Sequence, residues 1–273
     1  MREIFGRALA SVIPLALCGI GSAMAADLPM KAAPVAIAAP VASWTGCYID
    51  AGAGYGMYTQ TQHTETFPGL AQTGVSDTLD GGKGWLGRFG AGCDYQFTGS
   101  LSRWVIGAFG DYDVMSLRGT DNFQNIGLGG VFGAPTWASE KESNAWSIGG
   151  RVGYLVTPAL LTYVDVGYTQ THFDQQSFTF LNTGVTANAL LPGATYHGWF
   201  AGGGTEYALD FASIRGLFWR NEYRYSSYSS KDLPTFGVGA APGFAQRTMP
   251  YVQTVTSSLV WKFNWAQPVV AKY

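Results

Sequence analysis

The composition of this 273-residue chain excludes several classes of protein. Its formal net charge is −2, 47% of its residues are hydrophobic and 15% are aromatic. Only 12% are charged, about half the share in ordinary soluble domains. The high aromatic content excludes a disordered chain, and the small number of basic residues excludes a typical nucleic-acid binder. Beyond the first 25 residues no run of about 20 apolar residues exists, which excludes a helical membrane protein.

The start of the chain has the pattern of an export signal. Arg2 and Arg7 flank a short basic start, and an uncharged stretch follows. Small residues precede a predicted cleavage site between Ala25 and Ala26. Segment 26–43 holds three prolines among alanines and valines, which is typical of an extended leader in the periplasm. The predicted domains are a signal peptide (1–25), an Ala/Pro-rich periplasmic leader (26–43) and a barrel (44–273).

Eight segments then alternate apolar and polar residues with the period of two that is typical of β-strands. They cover residues 47–62, 83–97, 103–117, 144–156, 160–176, 196–209, 215–230 and 249–263. The connections alternate between short (98–102, 157–159, 210–214) and long (63–82, 118–143, 177–195, 231–248). Outer-membrane barrels have tight periplasmic turns and long extracellular loops. The pattern therefore predicts an eight-stranded antiparallel transmembrane β-barrel, with ten strands as the alternative.

Each segment has one apolar and one polar face. In the second segment, Trp85 and Phe89 alternate with Arg88 and Asp94. The apolar faces predict a lipid-facing surface with aromatic girdles: Trp85, Phe89, Tyr95, Phe97, Trp104, Trp146, Tyr154, Trp199, Tyr207, Trp219, Tyr223, Trp261 and Phe263. The polar faces predict a charge network inside the barrel: Arg88, Asp94, Asp111, Arg151, Asp165, Glu206, Arg220, Glu222 and Arg224.

The predicted interior charges permit three interpretations. An eight-stranded barrel is just wide enough for side chains to fill it, and buried charges must be paired, so an ion-paired plug is the first. A narrow or gated pore is the second. Catalysis by paired carboxylates is the third, and we predict that the protein is not an enzyme.

The histidines offer little support for a metal, cofactor or enzymatic site. His172 and His197 flank the same long loop and are predicted to lean outward across one hairpin, whereas His63 stands apart. A metal or haemin site at that hairpin is conceivable, but the chain has no H-x-x-x-H motif and no cysteine cluster. A barrel enzyme that acts on lipids needs a serine and a histidine in one constellation, and no serine adjoins a histidine. We predict no catalytic residue, no cofactor and no metal.

Several stretches of the chain resemble one family. They are Ala26-Asp27-Leu28-Pro29, Trp44-Thr45-Gly46-Cys47-Tyr48-Ile49, the run from Gly198 to Tyr207, Trp219-Arg220-Asn221-Glu222-Tyr223-Arg224-Tyr225, and Leu259-Val260-Trp261-Lys262-Phe263-Asn264. In order and spacing they are similar to the alpha-proteobacterial outer-membrane immunogenic proteins, small barrels related to the OmpA transmembrane domain. The resemblance implies a cell-surface barrel of a Gram-negative outer membrane. Members of the family include antigens, haemin binders and small pores.

The function predicted from the sequence is structural. The chain is expected to contribute to the integrity of the outer membrane and to present surface loops. A narrow porin-like channel for small solutes is one alternative, and adhesion or haemin binding through the loops is another. The expected partners are outer-membrane lipid and lipopolysaccharide, the barrel assembly machinery, and host or surface ligands of the loops, but no nucleic acid. The terminal aromatic that signals assembly is either the Trp261/Phe263 pair or Tyr273.

Cys47 and Cys93 are the two cysteines that remain after the predicted signal is removed. They lie near the same end of neighbouring predicted strands, so a disulfide is plausible in the oxidising periplasm. A disulfide needs Cα atoms about 4.4–6.8 Å apart, and a slip of two residues prevents it. We expect two unlinked thiols that pack against lipid.

Overall fold

The structure is a computed structural model that describes residues 43–72, 77–123, 136–180, 184, 186–209, 216–237 and 244–263. The predicted signal peptide, its cleavage site at Ala25/Ala26, nearly all of the predicted leader, and Tyr273 lie outside these residues. Within the described ranges, no helix is long and apolar enough to cross a membrane. A 3₁₀ turn, Gly99–Leu101, forms one of the short connections.

Antiparallel strands make up most of the described chain. They are β1 (Gly46–Thr66), β2 (Thr78–Gln96), β3 (Trp104–Phe123), β4 (Thr136–Thr157), β5 (Leu160–Phe173), β6 (Gln176–Phe180), β7 (Thr186–Leu191), β8 (Ala194–Ala208), β9 (Leu217–Tyr228), β10 (Lys231–Gly237) and β11 (Phe244–Phe263). Eight of them close a ring in the order β1-β2-β3-β4-β5-β8-β9-β11, in which β11 pairs with β1. The predicted eight-stranded barrel is confirmed, and the ten-stranded alternative is wrong.

The register of the ring has a fixed stagger. One row of directly opposed residues starts at Cys47 on β1 and runs through Cys93, Ala108, Gly150, Val166, Ala201, Tyr225 and Gln253 to Met57. The circuit therefore returns to β1 ten residues further along the strand than it began. Such a stagger requires the strands to tilt against the barrel axis. Closure leaves no sheet edge unpaired in the ring, which is the condition for β-structure in lipid.

The sheet extends further than the predicted strands at the end of the barrel with long connections. Strands β6, β7 and β10 lie in segments 177–195 and 231–248, which we predicted to be loops. Strands β3 and β4 likewise extend into 118–143, and β1 and β2 into 63–82. The prediction was wrong there because these stretches are rich in Thr, Asn and Gly and lack strong alternation. Their backbone groups nevertheless pair with neighbouring strands, for example β6 with β4 and β10 with β11.

Two apolar clusters fill the inside of the barrel near its ends. At the end with short connections, Trp44, Tyr48 and Phe218 are buried together with Val260. At the other end, Tyr58, Leu117, Phe173, Tyr196 and Val252 belong to a second cluster. Charged side chains occupy the space between the two clusters, as described below. Strict alternation along each strand brings these side chains inward while their neighbours point outward.

The expectation that Cys47 and Cys93 remain unlinked thiols was wrong. Cys47 and Cys93 form a disulfide, because β1 and β2 pair in a register that sets the two residues directly opposite each other. The slip of two residues that would separate the thiols does not occur. The bridge joins neighbouring strands, so it crosslinks a contact that the sheet also makes.

Intact mass spectrometry of purified protein without reductant tests the bridge. The chain is expected to be about 2 Da lighter than its fully reduced form, because two thiol hydrogens are lost on oxidation. It should also fail to react with a thiol-specific reagent until it is unfolded and reduced. A full-mass chain with two reactive thiols would contradict the structure.

Candidate functional site

The inside of the barrel holds two adjacent sets of ion pairs, which together we call the interior network. Its cations are Arg88, Arg151, Arg220, Arg224 and Lys262, and its anions are Asp50, Asp94, Asp111, Asp113, Asp165, Glu206 and Glu222. The side chains of all its members are less than a tenth exposed. These side chains come from inward-facing positions on several strands of the ring, so closure of the barrel assembles the network.

The half of the interior network nearer the short connections is centred on Glu206. Its carboxylate lies 3.0 Å from Arg151 Nη1, 2.9 Å from Arg220 Nη2 and 2.8 Å from Lys262 Nζ. Asp94 also pairs with Arg151 and accepts a hydrogen bond of 2.7 Å from Lys262 Nζ. One carboxylate is thus shared by three cations. The arrangement offsets the cost of burying each charge only while all the partners remain.

The other half of the interior network is centred on Glu222. Arg88 Nη1 lies 2.7 Å from Glu222 Oε1, and Arg224 Nη2 lies 2.8 Å from the same oxygen. Arg88 also donates two hydrogen bonds, of 2.7 and 2.8 Å, to Asp113. Arg224 donates two, of 3.0 and 2.9 Å, to Asp111. These forked guanidinium–carboxylate pairs hold both side chains in fixed orientations.

Aromatic rings pack against the cations of the interior network. The guanidinium of Arg220 lies 4.6 Å from the centroid of the Tyr48 ring, and that of Arg224 lies 4.2 Å from the Phe200 ring. Tyr163 donates a hydrogen bond of 2.8 Å to Glu222. Together the rings and ion pairs leave a cavity of about 10 Å³ among these side chains. That space holds about one water molecule.

Glycines on the inward faces make room for the interior network. A methyl group built on Gly107 would lie 2.1 Å from Asp94 Oδ1, and one on Gly202 would lie 2.4 Å from Asp165 Oδ1. Gly87, by contrast, has no atom within 4 Å of such a methyl group. Long charged side chains can therefore reach across the barrel only where the facing wall lacks a side chain.

A Gly107→Ala variant is expected to lose about 1–3 kcal/mol of unfolding free energy, because the added methyl group displaces Asp94 from its cations. Gly87→Ala is the matched control and should be neutral or slightly stabilising, since it adds a methyl group to open space. Urea unfolding of both variants in lipid vesicles compares the two costs. Equal stability of the two variants would contradict the packing argument.

An acidic cluster lies inside the barrel beyond the interior network, toward the long connections. Asp121, Glu140 and Glu142 are almost fully buried there. Gln62 donates a hydrogen bond of 2.9 Å to Asp121, and Gln176 donates one of 2.9 Å to Glu140. Every buried cation among the described residues belongs to the interior network instead.

Burial sets the protonation of the acidic cluster. A strand crosses the membrane in about 9–11 residues. Toward the long connections, Glu140 lies six residues beyond the outward-facing Trp146, and Asp121 lies nine residues beyond the outward-facing Tyr112. Both carboxyl groups are therefore outside the membrane-spanning part. Burial raises the pKa of Glu140 to about 7 and that of Asp121 to about 9. A protonated carboxyl can donate a hydrogen bond, so the cluster can share protons where it lacks cations.

The outer face of the ring is apolar and carries two aromatic levels. The predicted girdle residues are exposed at the surface, except that Phe97 is half-exposed: Trp85, Phe89, Tyr95, Trp104, Trp146, Tyr154, Trp199, Tyr207, Trp219, Tyr223, Trp261 and Phe263. Between the levels lie exposed aliphatic side chains, among them Ile106, Ile148, Val164, Val166 and Leu259. A band of exposed apolar side chains around a closed ring is the surface that contacts lipid in outer-membrane barrels.

The histidines stand apart from one another. His172 and His197 occupy positions two residues out of register on β5 and β8, so they do not form the facing pair that we considered. Each histidine has its own partner among the described residues: Asp77 for His63, Thr195 for His172 and Tyr168 for His197. Within the described ranges, no group of three or more His, Cys, Asp or Glu side chains is arranged to hold a metal ion.

Sequence reasoning missed several interior charges. Asp50, Asp113 and Lys262 belong to the interior network but were not predicted. The alternation that identified the others also marks these three, because each has outward-facing neighbours on both sides, as Trp261 and Phe263 flank Lys262. The acidic cluster was missed for a different reason: residues 118–143 were predicted to be a loop, so no inward face was assigned.

One family of known proteins matches most of the chain. The family described as "Outer membrane protein beta-barrel domain" matches residues 13–263. No curated protein sequence matches the chain. The family match therefore carries the assignment that follows.

Solved structures with a similar chain path include three outer-membrane proteins. OprG from Pseudomonas aeruginosa is 12% identical over 81% of this chain and 99% of its own, with a TM-score of 0.49. Ail, the attachment invasion locus protein of Yersinia pestis, is 9% identical over 80% of this chain and 99% of its own, with a TM-score of 0.32. The outer membrane protease OmpT from Escherichia coli is 11% identical over 79% and 97%, with a TM-score of 0.41.

Proposed function

This chain belongs to the outer membrane protein β-barrel domain family, and we propose that within the outer membrane it is a structural barrel with a closed interior. In this role it contributes to the integrity of the envelope and presents its long connections at the cell surface. The role is not enzymatic. The five sequence stretches described above support placing it in the immunogenic branch of the family.

The filled interior carries this proposal. Four arginines and a lysine are held by paired carboxylates, and the cavity of about 10 Å³ between them has room for about one water molecule. A channel needs a continuous path of water or weak ion sites through the barrel. The interior network instead fixes its charges to one another, with ion pairs such as Arg88–Glu222 at 2.7 Å. An interior of this kind supports the barrel wall and blocks passage.

Single-channel recording tests the closed interior. The barrel reconstituted in a planar bilayer is expected to show no conductance above background, because the interior network fills the barrel and leaves a cavity for about one water molecule among its side chains. A variant with Arg88, Glu222 and Arg224 all replaced by serine removes the blocking side chains and is the positive control for insertion. Discrete openings of the wild-type barrel would contradict the proposal and favour a narrow channel for small solutes.

The long connections make surface recognition a second candidate. Strands β6, β7 and β10 raise the sheet beyond the apolar outer face, which favours a rigid support for residues that a partner contacts. Adhesion or haemin capture would act there. Deletion of residues 181–185 from a barrel that still folds should abolish binding of host cells or haemin if that connection is the recognition site. Unchanged binding would exclude it.

The last strand is proposed to guide assembly. Trp261 and Phe263 stand outward at the end of β11, with ring centroids 4.8 Å apart, and form an accessible aromatic pair. We expect the barrel assembly machinery to recognise this pair rather than Tyr273.

A further inference from the structure

Three cations form a row on the outer face of the barrel. Lys83 on β2 is directly opposite Arg118 on β3, and Arg118 is directly opposite Lys141 on β4. Lys83 and Arg118 are exposed and Lys141 is about one-third exposed. The three side chains therefore stand next to one another on three neighbouring strands. We call them the cationic row.

The cationic row is electrostatically unfavourable by itself. Directly opposed residues have Cβ atoms about 4.5–5.5 Å apart, and like charges at such positions destabilise a sheet. Lys141 has one anionic partner, Asp174, at 3.4 Å. None of the ion pairs in the described ranges includes Lys83 or Arg118. An anion that touches all three side chains would relieve the repulsion.

The height of the cationic row above the membrane indicates which anionic group lies next to it. Lys83 lies two residues beyond Trp85, toward the end with long connections, and Trp85 is 72% exposed on the outer aromatic level. At about 3.3 Å per residue the row stands just outside the hydrocarbon, at the level of lipid headgroups. Long connections face the cell exterior in such barrels. The headgroups at that level belong to lipopolysaccharide, whose lipid A anchor is phosphorylated.

Elsewhere on the outer face, the described residues form no comparable patch at this level. At the corresponding level the outward residues of β5, β8 and β9 are uncharged or histidine: Gln170, His172, Thr195, His197 and Ser227. On β11 the nearest cation, Arg247, pairs with Asp232 at 2.8 Å and with Glu65 at 3.3 Å. Among the described residues, neighbouring outward-facing cations that outnumber their anionic partners therefore lie over β2, β3 and β4, whereas Lys231 on β10 is a single exposed lysine. A patch of three strands has the width of one lipid headgroup rather than of a complete shell.

We propose that the cationic row binds a phosphate group of lipid A. A guanidinium forms two parallel hydrogen bonds with phosphate oxygens, which suits the central position of Arg118, and the two lysines add point charges on either side. Thr120 and Ser139 are directly opposed two residues further out, and both are exposed, so their hydroxyl groups can donate to the same headgroup. The site holds one lipopolysaccharide molecule against β2–β4. It does not depend on whether the interior is closed.

Thermal unfolding with defined lipids tests the site. The full barrel is refolded in neutral detergent micelles that contain lipid A, the same lipid A after removal of its phosphates, or inorganic phosphate at equal concentration. Wild-type barrel should unfold at a higher temperature with lipid A than with the dephosphorylated lipid. The triple variant Lys83→Gln, Arg118→Gln, Lys141→Gln should lose this difference, and native mass spectrometry should show at least about ten-fold less retained lipid A.

The stability of the triple variant relative to wild type, measured with dephosphorylated lipid, distinguishes a loss of lipid A binding from a general loss of stability. With dephosphorylated lipid the triple variant should be as stable as wild type or more stable, because the repulsion between the cations is gone. Lys231→Gln, an exposed lysine on β10, is the matched control and should behave as wild type throughout. If the triple variant does not refold, Arg118→Gln alone is compared in the same lipids.

Two results would overturn the proposal. One is an equal rise in unfolding temperature for wild type and variant with lipid A. The other is an inorganic phosphate effect as large as that of lipid A, which would mean that the row binds any small anion.

Discussion

Replacement of Glu206 by leucine is expected to destabilise the barrel by about 3–5 kcal/mol, the usual cost of leaving a buried charge without its partner. Glu206 is fully buried and is shared by Arg151, Arg220 and Lys262. Without it, the three cations lose their shared anion inside the narrow barrel. Asp94 can still pair with Arg151 and Lys262. The effect is measured as unfolding free energy in urea, with the barrel in lipid vesicles.

Asp232→Asn is the control for this substitution. Asp232 pairs with Arg247 at 2.8 Å, but both side chains are partly exposed, so the loss should stay within about 0–1 kcal/mol. A Glu206→Leu barrel as stable as the control variant would show that the interior network does not hold the barrel together. The closed-interior proposal would then lose its main support.

Replacement of Val166 by arginine is expected to cost about 2–4 kcal/mol, the cost of a charged side chain near the middle of the bilayer. The Val166 side chain is 62% exposed on the outer face, between Tyr168 and the aliphatic residues of the band. The residues directly opposite Val166 are Gly150 and Ala201, neither of which can pair with a guanidinium, so the side chain must stretch toward the headgroups. Unfolding free energy in vesicles again gives the cost.

Thr162→Arg is the matched control on the same strand and the same face. Thr162 is directly opposite Tyr154, at the aromatic level near the short connections. An arginine there reaches the headgroups, and the expected cost is about 0–1 kcal/mol. Equal costs at both positions would mean that the membrane does not surround the barrel at the height inferred from its aromatic levels.

Local pattern determined the architecture of this protein. Alternation with period two and connections of alternating length predicted eight antiparallel strands and their closure, because lipid excludes unpaired backbone edges. The same alternation assigned each side chain to one face of its strand. Trp85 and Arg88, for instance, differ in face through parity alone, and the structure places Trp85 outside and Arg88 inside.

Register and long-range pairing are properties of the tertiary structure alone. Whether Cys47 meets Cys93, or Lys83 meets Arg118, depends on how far two strands are shifted, and a shift of two residues preserves every face while changing every partner. The choice of Glu206 as the shared partner of three cations likewise requires the closed ring, since Lys262 approaches from another strand. Within the eight predicted strands, alternation in the sequence determined which side chains face inward, and closure of the ring decided which of them meet, because pairing depends on a stagger that no local pattern encodes.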